Sequence, residues 1–407
     1  MAPAQGQEPD LTRLGLRQAD ALLLLKNRDL QTARRAVEAA EAATLTSAQR
    51  PNPNLSLSTV SINPNRGIGG GTLRDKAVDS TVRLDQLIER GNKRELRVST
   101  AKKLEAASGE DLADVLRQQR LVMRASYYDL MLAQDKLAIS VDTAELFQRT
   151  LQAAEQRLKA GDIAGSDVAR IRVDALRAQN DARAVEADRR RAQLALAYLI
   201  GVEPRADSLK ATDGWPALQT TTTVDVEQLL ERRPDVRAAR ARIEAANEAR
   251  ELARSLRTRD VSVGVQFEHF PDNFGNASNS YGVALSIPLF TRYYYEGEIA
   301  QAGAAWNAAN DSLERTRAIA RSEISRALAD LAAAAERFAR YRDYLLAEAK
   351  KSADSAEFAY RNGAIGVMDL LDARRTLRAV QLDAASAQAD YAKALAAWQF
   401  GSMQAGE

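Results

Sequence analysis

The sequence predicts a mainly α-helical protomer with a small β part: a tandem repeat of long coiled-coil-like helices with four β-strands set among them. Three observations predict it. Alanine, leucine, arginine and glutamate dominate, while aromatics make up only 5% of 407 residues, a balance that favours long helices packed thinly over one thick core. The chain repeats itself at a nearly constant offset. Four short stretches alternate apolar with small or polar residues at period two.

The repeat is read directly from residues. "RDLQTARRAVEAAEAA" (28–43) aligns without gaps on "PDVRAARARIEAANEA" (234–249), pairing Asp29 with Asp235 and Arg34 with Arg240 at an offset of 206. Further on, Gly161, Ile163 and Asp167 pair with Gly363, Ile365 and Asp369 at an offset of 202, one loop having changed length. The first repeat then covers 11–202 and the second 225–402. "GVEPRADSLKATDGWPALQTTTTVDV", with Pro, Gly, Asp and a Thr run, supplies an irregular connector over 203–224.

Residues 1–10, "MAPAQGQEPD", are polar and lack an apolar signal core. They read as a disordered leader on a mature sequence with an artificial Met start, any signal peptide already removed. Each repeat follows one plan. A first helix is expected over 11–48 and 225–257, then a β-hairpin over about 54–88 and 260–290. A very long helix follows over about 93–160 and 296–361. After a glycine break, a returning helix runs over 166–199 and 368–400, and 403–407 forms a tail.

The hairpins rest on alternation. In "DVSVGVQFEHF", Val261, Val263, Val265 and Phe267 alternate with Ser262, Gly264, Gln266 and Glu268; in "YGVALSIPLF", Tyr281, Val283, Leu285 and Ile287 alternate with Gly282, Ala284 and Ser286. In the first repeat "AVDSTVRLD" sets Val78, Ser80, Val82 and Leu84 on one face, and "NLSLSTVSI" is its weaker partner.

A helix of about 68 residues is about 100 Å long at 1.5 Å per residue, beyond the span of a compact domain. The returning and first helices are each about half that length, so two in series match one long helix. Residues Leu116, Met123, Leu130, Leu137, Ala144, Leu151 and Leu158 recur every seven, and Ala125, Leu132, Ile139, Leu146 and Ala153 form a second, opposed stripe. Two stripes imply helical neighbours on both sides. From helices alone an antiparallel coiled-coil rod explains this equally well. The strands tilt the balance, because four strands of about ten residues with an apolar and a polar face match a transmembrane β-barrel pattern. Four strands cannot close a barrel; several identical chains contributing four each can. Phe290, Tyr293, Tyr294 and Tyr295 in "LFTRYYYEGE" lie where such a strand ends, either as an interfacial girdle or as a packed strand–helix corner.

The glycine breaks repeat as well. "EQRLKAGDIAGSDVARIRVDALR" holds Gly161, Gly165 and Asp167; "EFAYRNGAIGVMDLLDARRTLR" holds Tyr360, Gly363, Gly366, Asp369 and Asp372. The glycines permit a sharp reversal. An acid at the start of the next helix suits its N-terminus, so Asp369 is read either as a cap or as a functional carboxylate. Asp372 lies a turn further in.

The two-fold repeat, two hairpins, long helices and Y-x-x-G…D-x-x-D pattern together resemble the TolC-type outer-membrane efflux channels of Gram-negative bacteria, over essentially the whole chain. The resemblance implies a homotrimer with a 12-stranded barrel in outer-membrane lipid and an α-helical tunnel crossing the periplasm, working with a periplasmic adaptor (membrane fusion protein) and an inner-membrane pump. "DQLIERGNKRELR" (85–97) and "FEHFPDNFGNASNSYGVALSIPLFTR" (267–292) are similar to the heavy-metal branch, which serves cation-exporting pumps of the resistance-nodulation-division (RND) type. That branch implies divalent heavy-metal cations as cargo; a channel for drugs or type I protein export shares the same features. The resemblance further assigns Asp369 and Asp372 to the periplasmic constriction, where six carboxylates from three chains would attract cations and oppose anions. It assigns Tyr360 and Asp167 to an inter-helix latch at the tip, with Gly161, Gly165, Gly363 and Gly366 at the turns. The family often has an arginine where this chain has Ile365, so Arg361 or Arg374 is the expected substitute.

Other chemistry finds little support. With no cysteine, disulfides and thiolate sites are excluded, and one histidine (His269) with five scattered methionines cannot build a soft-metal site, so neither metal nor cofactor is expected. No nucleophile–base constellation stands out, so no enzyme is expected. "RGIGGGTLRDK" (66–76) lacks a phosphate loop's ending and reads as a hairpin loop at the cell surface. The formal charge of +2 is spread over mixed-sign faces, which argues against nucleic acid. A soluble helical rod remains the alternative of another class, and a periplasmic adaptor is disfavoured because it should carry a lipoyl-like β-rich domain.

Overall fold

The computed structural model describes residues 10–62, 64–65, 67–72, 76, 78–219, 225–270 and 278–401. The expected leader (save Asp10), the tail, the Thr run of the connector, part of loop 66–76 and the second hairpin loop (271–277) lie outside the described residues. In chain order the elements are α1 (Leu16–Lys26), α2 (Arg28–Ala48), β1 (Asn54–Val60), β2 (Asp79–Ile88), α3 (Lys93–Lys159), α4 (Gly165–Ile200), α5 (Val226–Arg232), α6 (Pro234–Ser255), β3 (Val261–Phe270), β4 (Ser278–Ser286), α7 (Glu296–Arg340), α8 (Leu346–Arg361) and α9 (Val367–Gly401).

The first long helix (α3) and the two returning helices (α4 and α9) fall within a residue or so of the expected bounds. The first helix of each repeat does not. It breaks at Asn27 in the first repeat and Arg233 in the second, positions related by the same offset of 206 and both in extended backbone. Asn27 closes α1 through its N–H to the Leu23 carbonyl (3.0 Å) and caps α2 by accepting the Leu30 N–H on Oδ1 (3.0 Å). At Arg233 the break is enforced by Pro234, which bars the preceding residue from helical backbone. The predicted 296–361 helix also differs, because a π-helical turn over Tyr341–Leu345 joins α7 to α8. Finally, β4 stops at Ser286 rather than near 290, since Pro288 cannot donate to a ladder and restricts Ile287 before it. Val78 lies just outside β2 and is buried instead of sharing its face.

The compact units are not the repeats. One unit takes Met1–Arg34, Asp111–Val236 and Arg317–Glu407; the other takes Arg35–Glu110 and Arg237–Thr316, so each draws on both repeats. In the first, Leu11, Leu23 and Leu30 pack with Met123, Tyr127 and Leu130 of α3 and with Leu196 and Ile200 of α4. The connector is pinned onto this core. Tyr127 Oη accepts from the Asp213 N–H (3.3 Å), Trp215 Nε1 donates to Asp135 (2.9 Å), and Tyr391 Oη accepts from the Gln219 N–H (2.9 Å). A smaller core of Phe147, Leu151, Val168 and Ile171 holds α3 against α4 near their turn, with Leu371 of α9 packed in.

The second unit carries the sheet, an antiparallel meander in the order β1-β2-β3-β4, whose central pair β2–β3 joins the two repeats. Lys93 is almost fully buried below it. Its Nζ donates to Asp260 and to the Thr258 carbonyl, both at 2.7 Å, tying the start of α3 to the entry of β3.

Candidate functional site

Two places in the chain can carry function, the pair of helical turns and the sheet. At the first turn Gly161 has φ +82°; its N–H donates to the Leu158 carbonyl (3.0 Å), and the Asp162 N–H reaches the Arg157 carbonyl (2.9 Å). At the second, Gly363 has φ +73° and donates to the Tyr360 carbonyl (3.0 Å), while the Ala364 N–H reaches the Ala359 carbonyl (2.9 Å). These are the same left-handed helix terminus at equivalent positions, a conformation in which a β-carbon is strained. Gly165 and Gly366 do not share it. Neither has a positive φ, and both stand where the next helix restarts, so each reversal rests on one glycine rather than two.

The two aspartates behave differently. Asp369 Oδ2 accepts the Gly366 N–H at 3.2 Å, which makes it a first-turn cap of α9. The Asp372 side chain is 80% exposed, with Arg375 Nη1 as a distant neighbour at 3.9 Å. Asp167 occupies the first turn of α4, at the position equivalent to Asp369, and its carboxylate takes no hydrogen bond from the described residues. Tyr360 is held by an arginine: its Oη accepts from Arg157 Nη1 at 2.8 Å, and the guanidinium lies 5.9 Å from the ring centroid. Ile365 is half-buried, an apolar anchor in place of a charge, as Ile163 is against the small core of the first hairpin.

Charged ties not anticipated as pairs surround these residues. Glu357 on α8 accepts from Arg374 on α9, and from Arg361 at 2.5 Å. In the first hairpin Arg172 reaches Glu155 at 2.8 Å, which is the same pair 202 residues earlier. Arg374 and Arg361, the two arginines expected to replace the missing one, thus converge on one carboxylate. Two further pairs join α9 to α4: Arg375 with Asp174, and Arg378 with Asp181 at 2.9 Å. The sequence signal was present, since glutamate and arginine recur at one spacing in both repeats.

The sheet separates apolar from polar residues in its middle rows. Leu57, Val82, Phe267 and Tyr281 form one cross-strand row, and Leu55, Leu84, Val265 and Val283 form the next. Much of this apolar surface is bare in the single chain, with Tyr281 84% and Val283 82% exposed. The other face is polar. Arg83 pairs with Asp85 at 2.8 Å, and Gln266 and Ser280 both donate to Glu268. Asp85 lies flat across Gly264 at a distance no β-carbon there would allow. Beyond β4, Phe290, Tyr293, Tyr294 and Tyr295 pack on one another, Phe290 and Tyr295 with centroids 5.2 Å apart, while Tyr293 and Tyr294 stay half-exposed. Tyr293 Oη also donates to Glu298 (2.5 Å) at the start of α7, so the cluster forms a strand–helix corner.

Among the described residues no group of three or more His, Asp or Glu is placed to hold a metal ion, and no helix is long and apolar enough to cross a membrane.

Comparison with known proteins agrees with this geometry. The family model described as "Outer membrane efflux protein" matches residues 21–202 and 226–399. The cobalt-zinc-cadmium resistance protein CzcC of Cupriavidus metallidurans is 26% identical over 301 residues, 73% of this chain and 71% of that protein. The pyoverdine export outer membrane protein OpmQ of Pseudomonas putida is 26% identical over 266 residues, 63% of this chain and 55% of that protein. Among solved structures, the outer membrane protein VceC of Vibrio cholerae superposes with a TM-score of 0.76 at 20% identity, covering 95% of each chain.

Proposed function

The chain belongs to the outer membrane efflux protein family, and from that membership we propose that it is the passive exit duct for divalent heavy-metal cations. Members of this family are channels, not enzymes; they work as trimers in the outer membrane, extend into the periplasm, and act with an adaptor and an inner-membrane pump. The finer reading is that a proton-driven RND pump delivers the cation and this duct releases it outside. The observation that carries the cargo assignment is the similarity to CzcC over 73% of the chain.

The site residues take roles within that reading. The bare apolar rows of the sheet face lipid and the polar face lines the barrel, with Phe290, Tyr293, Tyr294 and Tyr295 near the membrane interface. The turns at Gly161 and Gly363 stand at the periplasmic tip. Asp372, exposed and unspent on hydrogen bonds, is the principal carboxylate of the constriction there; Asp369 contributes charge while capping its own helix. Tyr360 with Arg157 is the latch this chain provides, and Asp167 is left to receive a donor from a neighbouring copy. Similarity to OpmQ favours a second reading, export of a larger organic cargo.

Gene deletion tests the assignment. Loss of the protein should sensitise cells to zinc, cobalt or cadmium, and complementation should restore growth. Unchanged metal tolerance with new sensitivity to an organic compound would overturn the metal reading in favour of the second.

A further inference from the structure

Arg375 stands between two carboxylates of unequal strength. Its guanidinium is paired with Asp174 on α4, whose side chain is 12% exposed, and its other Nη lies 3.9 Å from Asp372, whose side chain is 80% exposed. Charges near the protein interior interact more strongly and are screened less than charges in water. While α4 and α9 are apposed, Asp174 therefore holds the arginine and Asp372 stays largely uncompensated. Asp372 and Arg375 are also three residues apart on one helix, a spacing at which side chains meet without any movement of the backbone. If α9 moves away from α4, Asp174 is lost as a partner and Asp372 is the acid within reach.

We infer that Arg375 sets the charge of the constriction, exchanging Asp174 for Asp372 when the two hairpins separate. This rests on the reading of Asp372 as a constriction carboxylate. Closed, the constriction presents its acids and gathers cations. Opened, each Arg375 neutralises the Asp372 beside it, the attraction falls, and a gathered cation is free to leave. The acids concentrate the cargo only until the path opens. Arg378 lacks this option: its partner Asp181 is 51% exposed, and Arg378 lies six residues from Asp372, off the i+3 and i+4 positions.

Reversal potentials of purified trimers in planar bilayers, under a potassium chloride gradient, test the exchange. Asp372→Asn should lower the cation-over-anion permeability ratio. Asp174→Asn, which frees Arg375, should lower it about threefold or more and clearly further than Asp181→Asn, which removes the same formal charge from the same helix. Adding Arg375→Gln to Asp174→Asn should restore most of the loss. If Asp372→Asn lowers the ratio but Asp174→Asn does no more than Asp181→Asn, the exchange is wrong and the acidic constriction stands. If Asp372→Asn changes nothing, the constriction reading falls and the exchange with it. Should Asp174→Asn fail to yield trimers, the wild-type channel decides alone: its high-conductance level should be less cation-selective than its low-conductance level, and equal selectivity would overturn the proposal.

Discussion

Arg374 on α9 reaches across the second turn to Glu357 on α8, and the same tie, Arg172 to Glu155, closes the first turn. The duplicated pair shows that each hairpin is fastened within itself, separately from the Arg375 and Arg378 pairs that join one hairpin to the other. The two copies differ in burial: Arg374 and Glu357 are 21% and 30% exposed, against 56% and 40% for Arg172 and Glu155. Exposed ion pairs contribute little, and shielding from water increases their worth. Arg374→Met should therefore cost about 1 kcal/mol of local stability and Arg172→Met less than about 0.5 kcal/mol. Amide hydrogen exchange at residues 361–368 and 159–166 reads the two separately. Equal acceleration in both would mean that burial does not set the difference.

The Arg157–Tyr360 contact combines a hydrogen bond with a cation over a ring. Tyr360→Phe removes the first and keeps the second, so it should cost about half a kcal/mol, while Arg157→Met removes both and costs more. Single-channel recording should show more frequent opening in that order. Identical behaviour of the two variants would assign the whole effect to the hydroxyl.

Gly264 leaves the room that the Asp85 carboxylate occupies. Gly264→Ala pushes Asp85 out of its pairing with Arg83 and should cost about 1 kcal/mol, the worth of a partly exposed pair. The yield of heat-resistant trimer on a denaturing gel measures the loss. Asp85→Ala in the same chain should recover part of it, whereas no recovery would place the strain in the backbone.

Stability in acid should follow Asp235. Burial alone would push its carboxyl up, but the bidentate Arg233 guanidinium outweighs that and holds it below the usual carboxylate range. A depressed carboxyl stabilises the fold above its unfolded-state pKa, about 3.9, and loses that contribution as the pH falls through its own lower value. The melting temperature should thus be flat near neutrality and fall below about pH 4. Asp235→Asn should flatten this acid limb and lower the unfolding free energy at neutral pH by roughly 2 kcal/mol, because Arg233 is 1% exposed and loses a partner. An unchanged acid limb would mean that other carboxylates control it.

Most of the architecture was legible because the period of the hydrophobic pattern changes sharply between strands and helices, and because duplication lets each repeat check the other. The helix breaks at Asn27 and Arg233 were harder. Within 11–48 nothing but a single asparagine marks the first, since a buried side chain capping its own backbone leaves no compositional trace. Pro234 did mark the second, and transferring it by the offset of 206 gives Arg28, the residue just after Asn27. The π-helical turn at Tyr341–Leu345 has no such counterpart, for α3 runs unbroken through the equivalent residues. At the turns, sequence located the glycines and acids but not their division of labour. Whether Asp369 is spent on a backbone N–H while Asp372 is free depends on one turn of helix geometry that residue type does not encode.

The strand order β1-β2-β3-β4 has a consequence for inheritance. Within the described sheet the outer sides of β1 and β4 meet no strand of their own chain, and inside a bilayer unpaired backbone groups are too costly to leave open. One copy's β4 must therefore find the next copy's β1, a head-to-tail contact that ends only when the ring closes. No copy can compensate for a faulty neighbour. A chain with a proline on the outer side of β1, made in equal amount with the normal one, should leave only about one ring in eight intact when three copies mix at random. Such an allele should behave as dominant, though the protein it encodes merely fails to pair.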